Sequence, residues 1–482
     1  MKGCQLRMRM VTVEPGGRSV RYTTIKMDRT RFSLFRLLSH ADPTERCNSD
    51  NKYMADNVNQ SKSKLGFNAT WSMAVGGMIG GGIFSTLGVV TAVAGQWVWL
   101  SFAIAGLIAF AAGYSYVNLA AYYGEGGGAF TFLREINAEG FAGSLSWVLI
   151  IGYVLTNAVY AFTFGQYLGH VVGLGSWFPR MMGIAIMISF IVLNLRGVGE
   201  AGGVEVFLVW FKLVALIGLA SWGIAQWEPS LLSRGVPDAG IGSALFGAAS
   251  VFMAYEGFQL LTYDYEDINE PKKTLPRAVL SAIVVVMVIY IIVALGTAML
   301  IGSDRLVQNK EVALAIAGRQ AFGTVGLVVV TVAAAFSTGS AINATLFATA
   351  RLAHKVSENK ELPAALNHRN TRGIPDRSVI MLGTLAAILA AMGTLTVLVE
   401  AASLAFLFTF TVVCGLAFFQ QAGIRIITGF GVLAASAASI GLIVHLIRTD
   451  PFALVFLAIL VIIALFGRPV LLRRERRADN NS

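Results

Sequence analysis

Charge is scarce in this 482-residue chain: only 13% of it is Asp, Glu, Lys or Arg, while 56% is hydrophobic. A soluble domain carries about 25% charged residues and about 45–50% apolar ones, so a water-soluble globule is excluded. Cysteine is scarcer still. Cys4, Cys47 and Cys414 are three scattered thiols, which excludes a disulfide framework and a CxxC-type metal site. The five histidines are dispersed, with no HExxH and no pair at helical spacing, so a membrane zinc enzyme has no ligand set. There is no Gly-Lys dipeptide, hence no Walker A loop and no P-loop of its own for ATP. No nucleophile or acid–base cluster suggests an enzyme, and no cofactor or metal is implied.

What is present is a series of long apolar runs. Twelve lie between Phe67 and Gly467, at about 67–91, 97–119, 143–171, 178–195, 204–226, 241–262, 276–302, 323–350, 378–397, 401–419, 427–446 and 451–467. A bilayer crossing needs about 20 apolar residues, so the expected fold is an all-α membrane protein with twelve transmembrane helices. Residues 1–66 are polar and basic, without helical or strand periodicity, and lack the apolar core of a signal peptide; they read as a disordered cytoplasmic tail. Met54 opens a short polar lead, MADNVNQSKSK, directly before the first run, so a start there is an open alternative. Residues 468–482 form a basic cytoplasmic tail.

The net charge of +10 reads as topology on so apolar a chain, with no nucleic-acid partner required. With the amino terminus inside, the even-numbered connections, Lys212 and the carboxyl tail hold 18 bases; the outer side holds six, Arg180, Arg234, Arg305, Lys310, Arg319 and Arg448. Thirteen more bases lie in the amino-terminal tail. Both termini are therefore expected on the cytoplasmic side of a multi-pass protein of the cell membrane.

The first run, SMAVGGMIGGGIFSTLGVV, carries Gly76, Gly77, Gly80, Gly81 and Gly82 at its centre. Each glycine costs a soluble helix about 1 kcal/mol relative to alanine. Close packing between helices explains one or two of them, since Gly76 and Gly80 are four apart. An interrupted helix explains all five: amides of Gly80, Gly81 and Gly82 and carbonyls of Gly77 and Met78 then face a cavity, where half-helix ends bind a carboxylate and an amine or cation. Inverted-repeat transporters pair two such breaks at the midplane. The sixth run supplies the second at Glu256 and Gly257, in SVFMAYEGF. Breaks five runs apart divide the chain into repeats at about 67–226 and 241–419, with two additional helices in 427–467.

The motifs GGMIGGGIF and SVFMAYEGF, and the following DYEDINEPKKTLPRAV, resemble the amino acid, polyamine and organocation transporter superfamily over about residues 65–467. Within it the chain is most similar to the broad-specificity, proton-driven amino acid permeases of archaea and bacteria. The resemblance implies a five-plus-five inverted repeat (LeuT-like) with discontinuous helices 1 and 6. It also implies an amino acid substrate bound at Gly77, Met78, Gly80 to Gly82, Phe252, Met253, Ala254 and Glu256, protons as the coupled ion, and a monomer or homodimer in the lipid bilayer.

Lys212 sits in EVFLVWFKLVALIGLA with apolar neighbours on both sides. Insertion scales charge such a lysine about 2.5–3.5 kcal/mol. It either snorkels to the interface or faces the bundle and exchanges a proton. In the proton-driven permeases that the chain resembles, a lysine at the matching place stands where sodium-coupled relatives bind sodium, which makes Lys212 the candidate proton-coupling residue. Glu256 has three open roles: second proton site, counter-charge for a cationic substrate, and acceptor for amides of the break. Some relatives that exchange basic amino acids or polyamines also carry a glutamate there, while many neutral amino acid permeases do not, which leaves the charge of the substrate open. Phe252 is a candidate lid over the substrate or a packing residue. Ser337, Thr338, Ser340 and Asn343 in the eighth run are either ion-site groups, as the resemblance implies, or partners of their own helix backbone. The 264–277 segment reads as solvated interface, serving as a cytoplasmic hinge or lock.

Overall fold

The computed structural model describes residues 64–197, 202–236 and 240–449, with the backbone alone of 7–13, 20–26 and 202–205. The chain divides into two units, Met1–Ser63 and Lys64–Ser482. In the first, β1 (Arg7–Val13) and β2 (Val20–Lys26) form an antiparallel hairpin, Arg7 opposite Lys26 and Val13 opposite Val20. The sequence reading assigns no strand to this tail. Arg and Met do alternate in RMRMVTV, and VRYTTIK is rich in strand formers, but the signal is seven residues long and embedded in polar sequence. The segment around Met54 lies outside the described residues.

The second unit is helical. It contains α1 (Phe67–Met78), α2 (Gly82–Ala94), α3 (Val98–Tyr123), α4 (Gly128–Glu135), α5 (Glu139–Val172), α6 (Trp177–Leu195) and α7 (Gly202–Ala225). There follow α8 (Ser243–Ser250), α9 (Pro271–Gln308), α10 (Ala313–Glu358), α11 (Asp376–Met392), α12 (Leu395–Phe419) and α13 (Arg425–Thr449). Among the described residues eight helical stretches are long and apolar enough to cross a membrane. The first of them, Phe67–Tyr123, runs through α1, α2 and α3 and covers two of the apolar runs. The run that begins with α8 is interrupted, α11 has 17 residues, and 451–467 lies outside the described residues. The unit is a multi-pass membrane protein.

Helices α9 and α10 are longer than their apolar runs, at 38 and 46 residues, because each contains a turn. Gly302 at φ 78° redirects α9 into the polar stretch SDRLVQ, and Gly323 at φ 61° joins ALAIAGRQA to the main part of α10. Both angles are in the left-handed region, which glycine occupies without a Cβ clash. Packing follows the small-residue rule for helices in lipid, where no hydrophobic force separates chain from solvent. Where α7 crosses α9, a Cβ on Gly223 would lie 2.0 Å from the Gly296 carbonyl oxygen. Helix α9 also packs on α3, α10 on α5, and α12 on both α5 and α13, so the elements that carry the two breaks are enclosed.

Candidate substrate and proton site

The helix of the first run stops at Met78 and restarts at Gly82. A stop of this kind releases carbonyls at the end of α1 and amides at the start of α2, and their partners define the site. Gly77 accepts the Gly80 amide at 3.2 Å. The Gly76 carbonyl accepts Lys212 Nζ at 3.1 Å. Met78 accepts the Tyr290 hydroxyl at 2.7 Å, and Ile79 accepts Ser337 Oγ. Lys212 is 1% exposed, so its ammonium points into the bundle and ends on the break.

The glycines serve both purposes that the sequence allows. A Cβ on Gly80 would stand 2.3 Å from the Ala341 Cβ, one on Gly81 2.1 Å from the Tyr160 ring, and one on Gly82 2.5 Å from the Tyr290 hydroxyl. Helices α10, α5 and α9 therefore close directly on the backbone of the break.

In the sixth run α8 ends at Ser250, and single turns of 3-10 helix at Phe252–Tyr255 and Phe258–Thr262 flank an extended Glu256 and a Gly257 at φ 122°. The two breaks touch: a Cβ on Gly257 would lie 2.6 Å from the Gly77 carbonyl carbon. Gly257→Ala is expected to lower the melting temperature in detergent and to abolish uptake, because a strained φ costs about 1–3 kcal/mol and the overlap adds about as much. An unchanged melting curve would contradict this contact.

Glu256 is 1% exposed and accepts hydrogen bonds from Tyr160 OH and Gln259 Nε2, both at 3.3 Å. The role of acceptor for the break falls elsewhere, since the Gly257 amide donates to Gln259 Oε1 at 3.0 Å. Gln259 Nε2 also donates to Tyr153 OH at 3.2 Å, and that hydroxyl lies 3.5 Å from Tyr263 OH. Tyr263 lines a cavity of 260 Å³ shared with Gly126, Asp264, Arg351 and Lys355. There Arg351 pairs with Asp264, and Lys355 donates to the Gly126 carbonyl at 3.1 Å. The acidic segment after the sixth run is thereby tied to α10.

The remaining sequence candidates separate. Phe252 is 1% exposed and packs edge-on against Phe410 with ring centres 5.6 Å apart. The Met253 amide donates to Ser403 Oγ at 3.0 Å, and the Ala254 carbonyl accepts Tyr290 OH at 2.9 Å. Ser337 reaches the break, but Thr338 Oγ1 donates to Ala334 of its own helix at 2.7 Å. Ser340 is half-buried on the same helix, and Asn343 Oδ1 accepts from Asn194 at 3.0 Å.

Tyr290 is absent from the sequence reading, yet its hydroxyl joins both breaks, donating toward the carbonyls of Met78 and Ala254. Gln259 and Tyr160 are absent likewise. One signal was available for Gln259, an amide side chain in an otherwise apolar run. Tyr290 in VVVMVIYIIVALG gave none, because a tyrosine in a membrane helix is ordinarily an interface anchor.

The amino acid permease family matches residues 65–476. The chain belongs to this family. An uncharacterised protein of Methanocaldococcus jannaschii is 32% identical over 61% of this chain and 68% of its own length. The inner membrane transport protein YbaT of Escherichia coli is 31% identical over 64% of this chain and 73% of its own length. The serine/threonine exchanger SteT of Bacillus subtilis is 25% identical over 64% and 71%. This permease is therefore an amino acid transporter of the lipid bilayer and not an enzyme, and its substrates are small amino acid molecules.

Proposed function

We propose that this permease is a proton-coupled amino acid symporter with twelve spans, built as a five-plus-five inverted repeat and working by alternating access at the cell membrane, with both termini inside. The observation that carries the reading is the Lys212 ammonium on the Gly76 carbonyl. A protonated lysine ties α7 to the end of α1. A neutral amine has no charge to hold that carbonyl, and α1 is then released to move. Proton binding and rearrangement of the break are coupled through this contact.

The substrate carboxylate would take the amides at Gly80 to Gly82, that of Gly80 by giving up its bond to the Gly77 carbonyl, where the N-terminal end of α2 favours an anion. Its ammonium would take carbonyls from Gly77, Met78 and Phe252 to Ala254. A carbonyl oxygen has two lone pairs, so Met78 and Ala254 serve the substrate beside the Tyr290 hydroxyl. Backbone reads what all amino acids share, and Phe252, Met253 and Glu256 read the side chain. Ser337, Thr338 and Ser340 on α10 would be the hydroxyls of the ion site, and Asp264 with Arg351 acts as the cytoplasmic lock.

A second reading is amino acid or polyamine exchange on the same fold. It is favoured by the buried Glu256, available to a cationic side chain, and by similarity to a protein named as a serine/threonine exchanger. Uptake of a labelled amino acid mixture into sodium-free liposomes, with and without an inward proton gradient, separates the two. Symport predicts gradient-dependent accumulation. Exchange against internal amino acid or polyamine with no gradient response would overturn symport and move Glu256 ahead of Lys212.

A further inference from the structure

Two titratable side chains outside the Lys212 site, one buried and one partly exposed, face each other between α12 and α13. Glu400 on α12 is 3% exposed, and His445 on α13 places Nε2 3.8 Å from Glu400 Oε1. The apolar pattern leaves Glu400 in the connection between the ninth and tenth runs, whereas the structure carries it inside α12, on the second turn from Leu395.

The carboxylate is tied to the break of the sixth run. Ser250, the last residue of α8, donates Oγ to Glu400 Oε1 at 3.3 Å. One turn further along α12, Ser403 Oγ donates to the Ser250 carbonyl at 2.8 Å and accepts the Met253 amide at 3.0 Å. Phe410, on the same helix, meets Phe252. The end of α8 and the turn after it are thus fixed to α12. His445 touches the same half-helix, its ring centre 6.1 Å from that of Phe246.

We propose that Glu400 and His445 form a second proton-binding site, separate from Lys212, which clamps α8 to α12 and α13 while the pair shares one proton. The proposal rests on the reading that access to the substrate site alternates. With the imidazole protonated and the carboxylate ionised, the pair is neutral as a whole and tolerable in apolar surroundings. Loss of that proton removes the positive charge that Glu400 Oε1 faces at 3.8 Å and raises the cost of keeping the carboxylate buried. Separation of α8 from α12 would then admit water to the carboxylate.

Other ionisable groups lie on the elements around the pair. Lys310 donates to Thr396, one turn before Glu400, at 3.1 Å, with Glu311 beside it in sequence. Helix α5, packed on α12, carries Tyr153, Tyr160, Tyr167 and His170, and α3 carries tyrosines toward its far end. Helices α8 and α2 have no titratable side chain. His445 is the imidazole paired with this carboxylate, and histidine is the side chain that changes charge near neutrality.

The test uses the full chain in liposomes with equal pH on both sides. Homo-exchange of a labelled amino acid mixture is measured from about pH 5.5 to about pH 8, and the infrared band of protonated carboxyls is followed on the same protein. Glu400→Gln should remove one titrating carboxyl. His445→Gln should displace the pH at which that carboxyl titrates by about one unit or more. The pH profile of exchange should change alike in each single variant and in the double variant. A carboxyl band that titrates unchanged in His445→Gln overturns the proposal, as does a wild-type pH profile in Glu400→Gln. Absence of exchange by the wild type would count against the transport reading instead, and the infrared titration then decides the proton site alone. Should Glu400→Gln fail to fold, the comparison of His445→Gln with wild type carries the infrared arm.

Discussion

Lys212→Ala is expected to abolish accumulation driven by a pH gradient while leaving exchange of substrate across the membrane. The wild-type expectation has a magnitude: one pH unit is worth about 1.4 kcal/mol per proton, so one-for-one symport concentrates a neutral substrate about tenfold per unit. In the variant the ratio should fall to about one at every gradient. The basis is that the Lys212 ammonium ends on the Gly76 carbonyl at 3.1 Å in a position that is 1% exposed. Alanine removes the proton carrier and the donor together. Counterflow needs no net proton movement and should therefore survive, more slowly, as α1 loses one of its anchors. Lys212→Met, which keeps the length of the stem, separates the two effects: it preserves packing and still cannot bind a proton. A Lys212→Ala or Lys212→Met protein that concentrates substrate against its gradient would remove the coupling assignment.

The larger features of this permease are written in residues whose chemistry leaves few alternatives in a bilayer. Five glycines in seven positions announce a place where a helix stops, and α1 does end at Met78, to be resumed as α2 at Gly82. A lysine in an apolar run needs an acceptor, and the carbonyls released at the end of α1 are such acceptors. The partners that complete the site are harder to read because they are single polar groups on long helices, with no periodic signature. Tyr290 resembles any other membrane tyrosine until the fold brings it against Met78 and Ala254. Glu400 was hidden differently. The apolar runs at 378–397 and 401–419 leave it in the three-residue connection between them, whereas α12 begins at Leu395 and buries it. Thr338, a hydroxyl in the same cluster, bonds its own helix at Ala334, one of the two outcomes that the sequence leaves open. Hydroxyl composition alone does not distinguish such a residue from Ser337, which crosses to Ile79.

Tyr290→Phe is expected to reduce exchange about 10- to 100-fold and to lower the melting temperature in detergent, although it removes a single oxygen. That oxygen donates toward the carbonyls of Met78 and Ala254, at 2.7 and 2.9 Å. A buried backbone group left without its partner costs about 1–3 kcal/mol. Relaxation and water entry recover part of the loss, which keeps the expectation to one or two orders of magnitude. The ring contacts should survive, because Phe102 and Tyr255 lie 5.4 and 5.2 Å from the Tyr290 ring centre and phenylalanine presents the same ring. The variant thus isolates the hydroxyl as the tie between the two breaks. A substitution at Gly82 cannot make the same distinction, since its Cβ would stand 2.5 Å from that hydroxyl and 2.7 Å from the Ala254 carbonyl oxygen, confounding steric overlap with loss of the bond. If Tyr290→Phe exchanges substrate at the wild-type rate and melts at the wild-type temperature, the breaks are held by their glycine contacts alone, and the hydroxyl has no part in forming the site.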